Sequence, residues 1–151
     1  MPTHFTGSRP ERRTLDTFIK LTRCTNSVLA RLSECNTIGD LTPSQFAVLE
    51  ALYHLGSMTQ GEISNKILKS TSNLTTVIDN LERIDLVRRE RDAKDRRVIH
   101  IHLTEAGRTK VETIFPNHVA ALVEVFNVLS ASEQETLGKL CKKLGKGEES
   151  E

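Results

Sequence analysis

Between residues 42 and 103 the spacing of apolar residues switches from a helical to a strand period, and no other feature restricts the fold as much. Phe46, Leu49, Leu52 and Leu55 recur at steps of three, the spacing of one helical face. A shorter stripe follows with Ile63, Ile67 and Leu68, then a third with Leu74, Val77, Ile78, Leu81 and Ile84. Past Asp85 the pattern alternates, with 86–89 on one side of a polar tip and Ile99, Ile101 and Leu103 on the other. Three helices with inward apolar faces, followed at once by a hairpin, are therefore expected.

Helix ends carry their own signals. Thr42, Pro43 and Gln45 have the residue types of a cap, a first-turn proline and a side chain that reaches back to the cap. Thr59 and Glu62 repeat the capping box, while Ser70, Thr71, Ser72 and Asn73 offer caps for the third helix. Thr104 opens a long helix through Val111, Ile114, Phe115, Val119, Leu122, Val123, Phe126 and Leu129, bent at Pro116. Ser130 and Glu133 open a last helix with Leu137, Leu140, Cys141 and Leu144, expected to close at Gly145. Upstream, Leu15, Phe18, Ile19, Val28, Leu29 and Leu32 form another stripe, and 1–13 reads as a loose arm.

The expected fold class is mainly α with a small β-hairpin wing. A winged helix-turn-helix lobe at 42–103 is flanked by long helices at 14–36 and 105–145, all within one domain, 1–151. The apolar stripes of the flanking helices are more than a domain of this size covers alone, so a homodimer is expected.

Total charge is uninformative, with 21 Lys and Arg against 20 Asp and Glu, but its distribution is not. The run RRERDAKDRR at 88–97 holds six basic and three acidic residues, a local basic ridge at the hairpin tip. Three widely spaced cysteines, with no apolar leader, argue against a secreted disulfide scaffold and for the cytoplasm. No apolar run is long enough to span a bilayer. No glycine-rich phosphate loop or nucleophile elbow is present, so no enzyme and no cofactor is expected.

A helix that reads the major groove needs short side chains that donate and accept. The run STSNLTT at 70–76 supplies them, with Thr71, Ser72, Asn73, Thr75 and Thr76 as candidate DNA contacts. Asn73 is the first candidate for a base contact, because Asn pairs bidentately with adenine. Ser70 and Thr71 serve equally well as caps, whereas Thr75 and Thr76 lie a turn inside the helix, where capping does not explain them. Lys94, Asp95, Arg96 and Arg97 form the wing candidates, with arginine entering a narrow minor groove and Asp95 steadying it. The competing reading is a winged helix that docks on an acidic protein, which the exposed Asn and Thr residues count against.

Together, LTPSQFAVLEAL, TQGEISNKI and SNLTTVIDNLERIDLVRRERDAKDRRVIHIHLTEAG resemble the MarR family of bacterial regulators over 42–107. The most specific part is Asp95-x-Arg97 followed by Leu103-Thr104-x-x-Gly107. The resemblance implies a recognition helix over 71–84, Arg97 as the minor-groove arginine and Asp95 as its orienting partner. It also implies a dimer joined by the first and last helices, a pseudo-palindromic duplex operator, and repression relieved by a small aromatic ligand or an oxidant. Asp85 stands where many members of that family have Gly.

Two weaker signals remain. His100 and His102 share a strand face and, with His54 or His118, could contribute metal ligands, but a solvent-side polar pair is the favoured reading and no metal site is assigned. Cys24, Cys35 and Cys141 fall in the expected interface helices, where cysteine commonly packs as a small hydrophobe. Cys35 and Cys141 are the candidate redox pair.

Overall fold

The computed structural model describes residues 4–67 and 71–147, the side chains of Thr71 and Ser72 excepted; Leu68 and Ser70 of the sequence reading lie outside that set. In chain order the elements are α1 (Arg9–Glu34), α2 (Pro43–Leu55), β1 (Met58–Thr59), α3 (Gln60–Ile67), α4 (Thr71–Arg83), β2 (Val87–Arg91), β3 (Ile99–Leu103), α5 (Glu105–Phe126) and α6 (Ala131–Lys146). The chain divides into two compact units, a central one over 37–118 and a terminal one from both ends, up to Asn36 and from Val119.

The central unit is built as the apolar periods require. Leu49, Ile63, Leu74, Ile78, Leu81, Val87, Ile101 and Val111 are fully buried in one core, with Phe46, Leu52, Met58 and Leu86 beside them. Thr42 Oγ1 accepts from the Gln45 amide at 3.1 Å while the Thr42 amide donates to Gln45 Oε1 at 2.9 Å, and Gly56 ends α2 at φ 83°. Ile84 departs from the expected inward stripe. It follows the last turn of α4 and is half exposed.

The expected hairpin is a three-stranded antiparallel sheet in the order β1-β3-β2. β3 pairs with β2 from Val87↔Leu103 to Arg91↔Ile99, and on its other edge Met58 faces Ile101 and Thr59 faces His100. β1 covers an edge that the ribbon would otherwise leave unpaired.

Asp85 turns the chain from α4 into β2 at φ 59°, a left-handed conformation that Asp tolerates better than most residues. Its carbonyl accepts from Thr104 Oγ1 at 2.6 Å, and the same hydroxyl oxygen accepts from the Gly107 amide at 3.0 Å. A Cβ on Gly107 would come within 2.1 Å of the Leu86 carbonyl oxygen. The Leu-Thr-x-x-Gly sequence is thus an architectural joint between the α4–β2 turn and the start of α5.

In the terminal unit, α1 starts at Arg9, earlier than the expected Thr14, so part of the predicted arm is helix. Ser8 and Glu11 form a full capping box and Pro10 lies in the first turn, where its missing N–H costs nothing. Ser130 and Glu133 cap α6 in the same way, but α6 runs past Gly145 and ends at Gly147, φ 67°. Neither α1 nor α6 contains a buried residue. Phe18, Leu29, Val123, Leu140 and Leu144 are each more than half exposed. Cys24, Cys35 and Cys141 are also exposed, free thiols rather than small core residues of this chain. Among the described residues, no single helix is long and apolar enough to cross a membrane.

Candidate nucleic-acid interface

α4 turns Leu74, Ile78 and Leu81 inward, and the same helical geometry leaves Asn73, Thr75, Thr76 and Asp79 exposed along its other side. Thr71 opens the helix and Ser72 follows it. All five polar positions expected to contact DNA, Thr71, Ser72, Asn73, Thr75 and Thr76, therefore lie on one continuous helix, and residues this short would keep the backbone close to whatever that face approaches.

Lys94, Asp95, Arg96 and Arg97 are exposed at the tip between β2 and β3. Asp95 Oδ1 accepts from the Arg97 amide at 3.0 Å and lies 3.4 Å from Arg97 Nε. The Arg97 side chain is otherwise almost entirely in solvent, 93% exposed, so Asp95 steadies its base while the guanidinium extends outward.

Sequence reasoning missed the residue that shapes this tip. Asp92 Oδ1 accepts from the amides of Lys94 at 2.8 Å and Asp95 at 2.9 Å, and its Oδ2 is 3.4 Å from His100 Nε2. The two backbone bonds, with a smaller contribution from His100, hold the Asp92 carboxyl below its ordinary range. Arg91 Nη1 donates to the Arg96 carbonyl at 3.0 Å and closes the tip from the other side. An Asp two and three residues ahead of amides it can bond is a recognisable turn signal, but here it was hidden inside a charge run.

The basic ridge is also smaller than its residue count. Arg88 lies 3.3 Å from Glu90 Oε2, and Arg89 is not a ridge residue at all. Arg89 reaches back from β2 to α4, where Nη2 meets Asp79 Oδ1 at 2.6 Å and Nη1 pairs with Glu82; its amide donates to Glu82 Oε1 at 3.2 Å. Burial alone would lower the Arg89 pKa, but the bonds to Asp79 and Glu82 outweigh it and the net direction is upward. Arg89 is thereby a strut that ties the wing strand β2 to α4.

The four histidines weighed as metal ligands, His54, His100, His102 and His118, sit apart in pairs or alone. His102 Nδ1 is 2.7 Å from Ser57 Oγ and its Nε2 is 3.7 Å from Glu90, His118 Nδ1 is 2.9 Å from Thr37 Oγ1, and the His54 ring lies 5.1 Å from that of Phe115, tilted by 60°. Among the described residues, no three metal-binding side chains converge.

A helix-turn-helix followed by a basic-tipped ribbon, β2 and β3, whose open edge is covered by β1, defines a winged helix-turn-helix DNA-binding lobe, the class to which this fold belongs. The MarR family sequence profile matches residues 41–99. The chain is 36% identical over 133 residues to the HTH-type transcriptional regulator MhqR of Bacillus subtilis (strain 168), covering 88% of this chain and 92% of that one. It is 31% identical to the HTH-type transcriptional repressor MdtR of the same organism, over 74% of this chain and 72% of that one. Among solved structures, a MepR-like protein complexed with pseudoligands superposes with a TM-score of 0.64 at 32% identity, over 85% of this chain and 92% of that one. The chain belongs to the MarR family. Members are DNA-binding transcriptional regulators, not enzymes.

Proposed function

We propose that the chain is a homodimeric repressor of the cytoplasm that binds a pseudo-palindromic duplex operator and lets go when a small aromatic ligand or an oxidant acts on it. α4 enters the major groove with Asn73, Thr75 and Thr76, and Thr71 and Ser72 at its start, while the wing places Arg97, with Lys94, Arg96 and Asp95, at the adjacent minor groove. The observation that carries this reading is the Arg89 strut, which ties the two candidate reading elements, α4 and the wing strand, to one another. Such a connection has a purpose if helix and wing must engage one ligand together.

The second copy is argued from the terminal helices. Leu137, Leu140 and Leu144 stand at steps of three and four on α6 and none is buried, which is the surface a partner helix would cover. Operator half-sites then lie about one helical turn apart, mirroring the two-fold axis of the dimer. A ligand arm has a precedent in the MepR-like relative bound to pseudoligands, and an oxidant arm in the exposure of Cys35 and Cys141. Cross-linking of Cys35 to Cys141 of a second copy is tested on a non-reducing gel after quinone or hypochlorite treatment, with Cys35→Ser and Cys141→Ser as controls.

The DNA reading is tested by fluorescence anisotropy on a duplex selected from a random library. Affinity should fall steeply with salt, with a log–log slope of about −0.9 for each phosphate neutralised. Asn73→Ala should weaken the selected duplex more than random duplex, by about 1 to 3 kcal/mol. Equal affinity for all duplexes, in wild type and variant alike, contradicts the assignment.

A further inference from the structure

The two helices of the reading motif share a polar contact on the exposed side of α4. Thr59 and Glu62 fix the start of α3 by a reciprocal exchange: the Thr59 amide donates to Glu62 Oε2 at 2.7 Å and the Glu62 amide donates to Thr59 Oγ1 at 3.3 Å. Gln60 is thereby held in the first turn of α3. From there its Nε2 donates to Thr75 Oγ1 at 2.6 Å, a contact between residues fifteen apart in sequence. Thr75 belongs to the exposed strip that also carries Asn73 and Thr76.

We propose that Gln60 is a positioning residue for sequence readout, holding Thr75 so that its γ-methyl rather than its hydroxyl meets a base edge, and that the base met is thymine. The proposal rests on α4 being the major-groove helix. A threonine side chain has a few staggered rotamers about its first torsion, and the bond from Gln60 favours the one that keeps Oγ1 on its amide. With Oγ1 engaged inside the protein, turning it toward a base would break a bond already made, at a cost comparable to the bond it would gain. The methyl group has no such competing attachment. A threonine hydroxyl contacts bases or phosphates with little discrimination, whereas its methyl packs selectively on the 5-methyl of thymine. Gln60 converts Thr75 from an indiscriminate polar contact into an apolar probe for a T·A pair.

The test uses the full chain and a duplex selected by wild type, in which each thymine is replaced in turn by deoxyuridine. At one position per half-site, wild type should bind the thymine duplex roughly fourfold tighter, the equivalent of burying one methyl group. Thr75→Ser, which has no methyl, should bring that ratio to one. Thr75→Val, which keeps γ-methyl groups in every rotamer, should retain it. Gln60→Met removes the amide at nearly constant length and should shrink the thymine-to-deoxyuridine ratio in the wild-type background but not in the Thr75→Val background.

A Gln60 that only stabilised the packing of α3 on α4 would scale the affinity for every duplex alike and leave the ratio at its wild-type value, and that result overturns the proposal. So does a wild type that discriminates thymine from deoxyuridine nowhere. If wild type prefers no duplex at all, the DNA reading fails before any variant is compared, and the role of Gln60 falls with it.

Discussion

In the central unit, α4 carries Leu74, Ile78 and Leu81 and buries all three; in the terminal unit, α6 carries Leu137, Leu140 and Leu144 at the same kind of spacing and buries none. Both are amphipathic helices, of 13 and 16 residues, so local helix formation does not separate them. What separates them is the presence of other elements against their apolar faces. α2, α3, β3 and the start of α5 enclose one core around α4, whereas α1 and α6 have no buried residue between them. A region that completes its core alone can serve as a reading head. One that leaves its stripe open is built to be completed by something else, the part that the proposed function gives to a second copy.

Damage to each unit in turn should have opposite signatures. Leu49→Ala removes a fully buried side chain and should destabilise the central unit by about 2 to 5 kcal/mol, read by denaturant unfolding, with little dependence on protein concentration. Leu140→Asp with Leu144→Asp, on a face that is already exposed, should leave helical content intact while sedimentation velocity shows a monomer. If the double variant stays dimeric, α6 is not the dimer surface.

A smaller effect separates positioning from stability inside the central unit. Asp79 and Glu82 are about half exposed, so the Arg89 ion pairs contribute about 0.2 to 1 kcal/mol each at most. Arg89→Met should therefore change the melting temperature little. Operator affinity should fall by about tenfold or more, a disproportion expected when small misplacements of a binding group are costly. Equal losses in stability and affinity would make Arg89 an ordinary surface bridge.

The wing tip should respond to acid in a defined direction. The Asp92 carboxyl is held below its ordinary value of 3.8 by the Lys94 and Asp95 amides, so its contribution is fully present above that value and is lost as pH falls through the lower folded value. Glu62 at the start of α3 behaves alike, lowered by its bonds from Thr59. Amide exchange at Lys94 and Asp95 should thus be protected at neutral pH and lose protection only below about pH 4, whereas Asp92→Asn should weaken it at every pH.

The least effect is expected at Asp85. Its φ of 59° suits glycine, so Asp85→Gly should relieve strain and raise stability by up to about 1 kcal/mol, with operator affinity unchanged; a loss of stability would mean the Asp side chain has a role of its own.

These residues also show why part of the molecule was legible in the sequence. The helices announced themselves because a cap and an apolar stripe are local: Thr42 with Gln45 and Ser130 with Glu133 are read off four residues. The start of α1 uses the same signal at Ser8 and Glu11, but Pro10 and the surrounding charges mimic a loose arm. β1 is two residues long, too short for any period to register, and its partner lies more than forty residues away. The candidate site could be proposed from residue types, but its pairings could not. A count of basic residues cannot reveal that Arg89 turns inward to Asp79 and Glu82, or that Gln60 reaches Thr75, because both contacts depend on how separate elements pack.

The most direct test of the whole account is a hydroxyl-radical footprint of the full chain on its selected duplex. A two-fold dimer reading the duplex with helix and wing should give two protected segments centred about one helical turn apart, related by two-fold symmetry, with added protection where the wings meet the minor groove. In Arg97→Ala the added protection should vanish while the central segments remain. A single unsymmetrical segment, or uniform protection along the duplex, would contradict it.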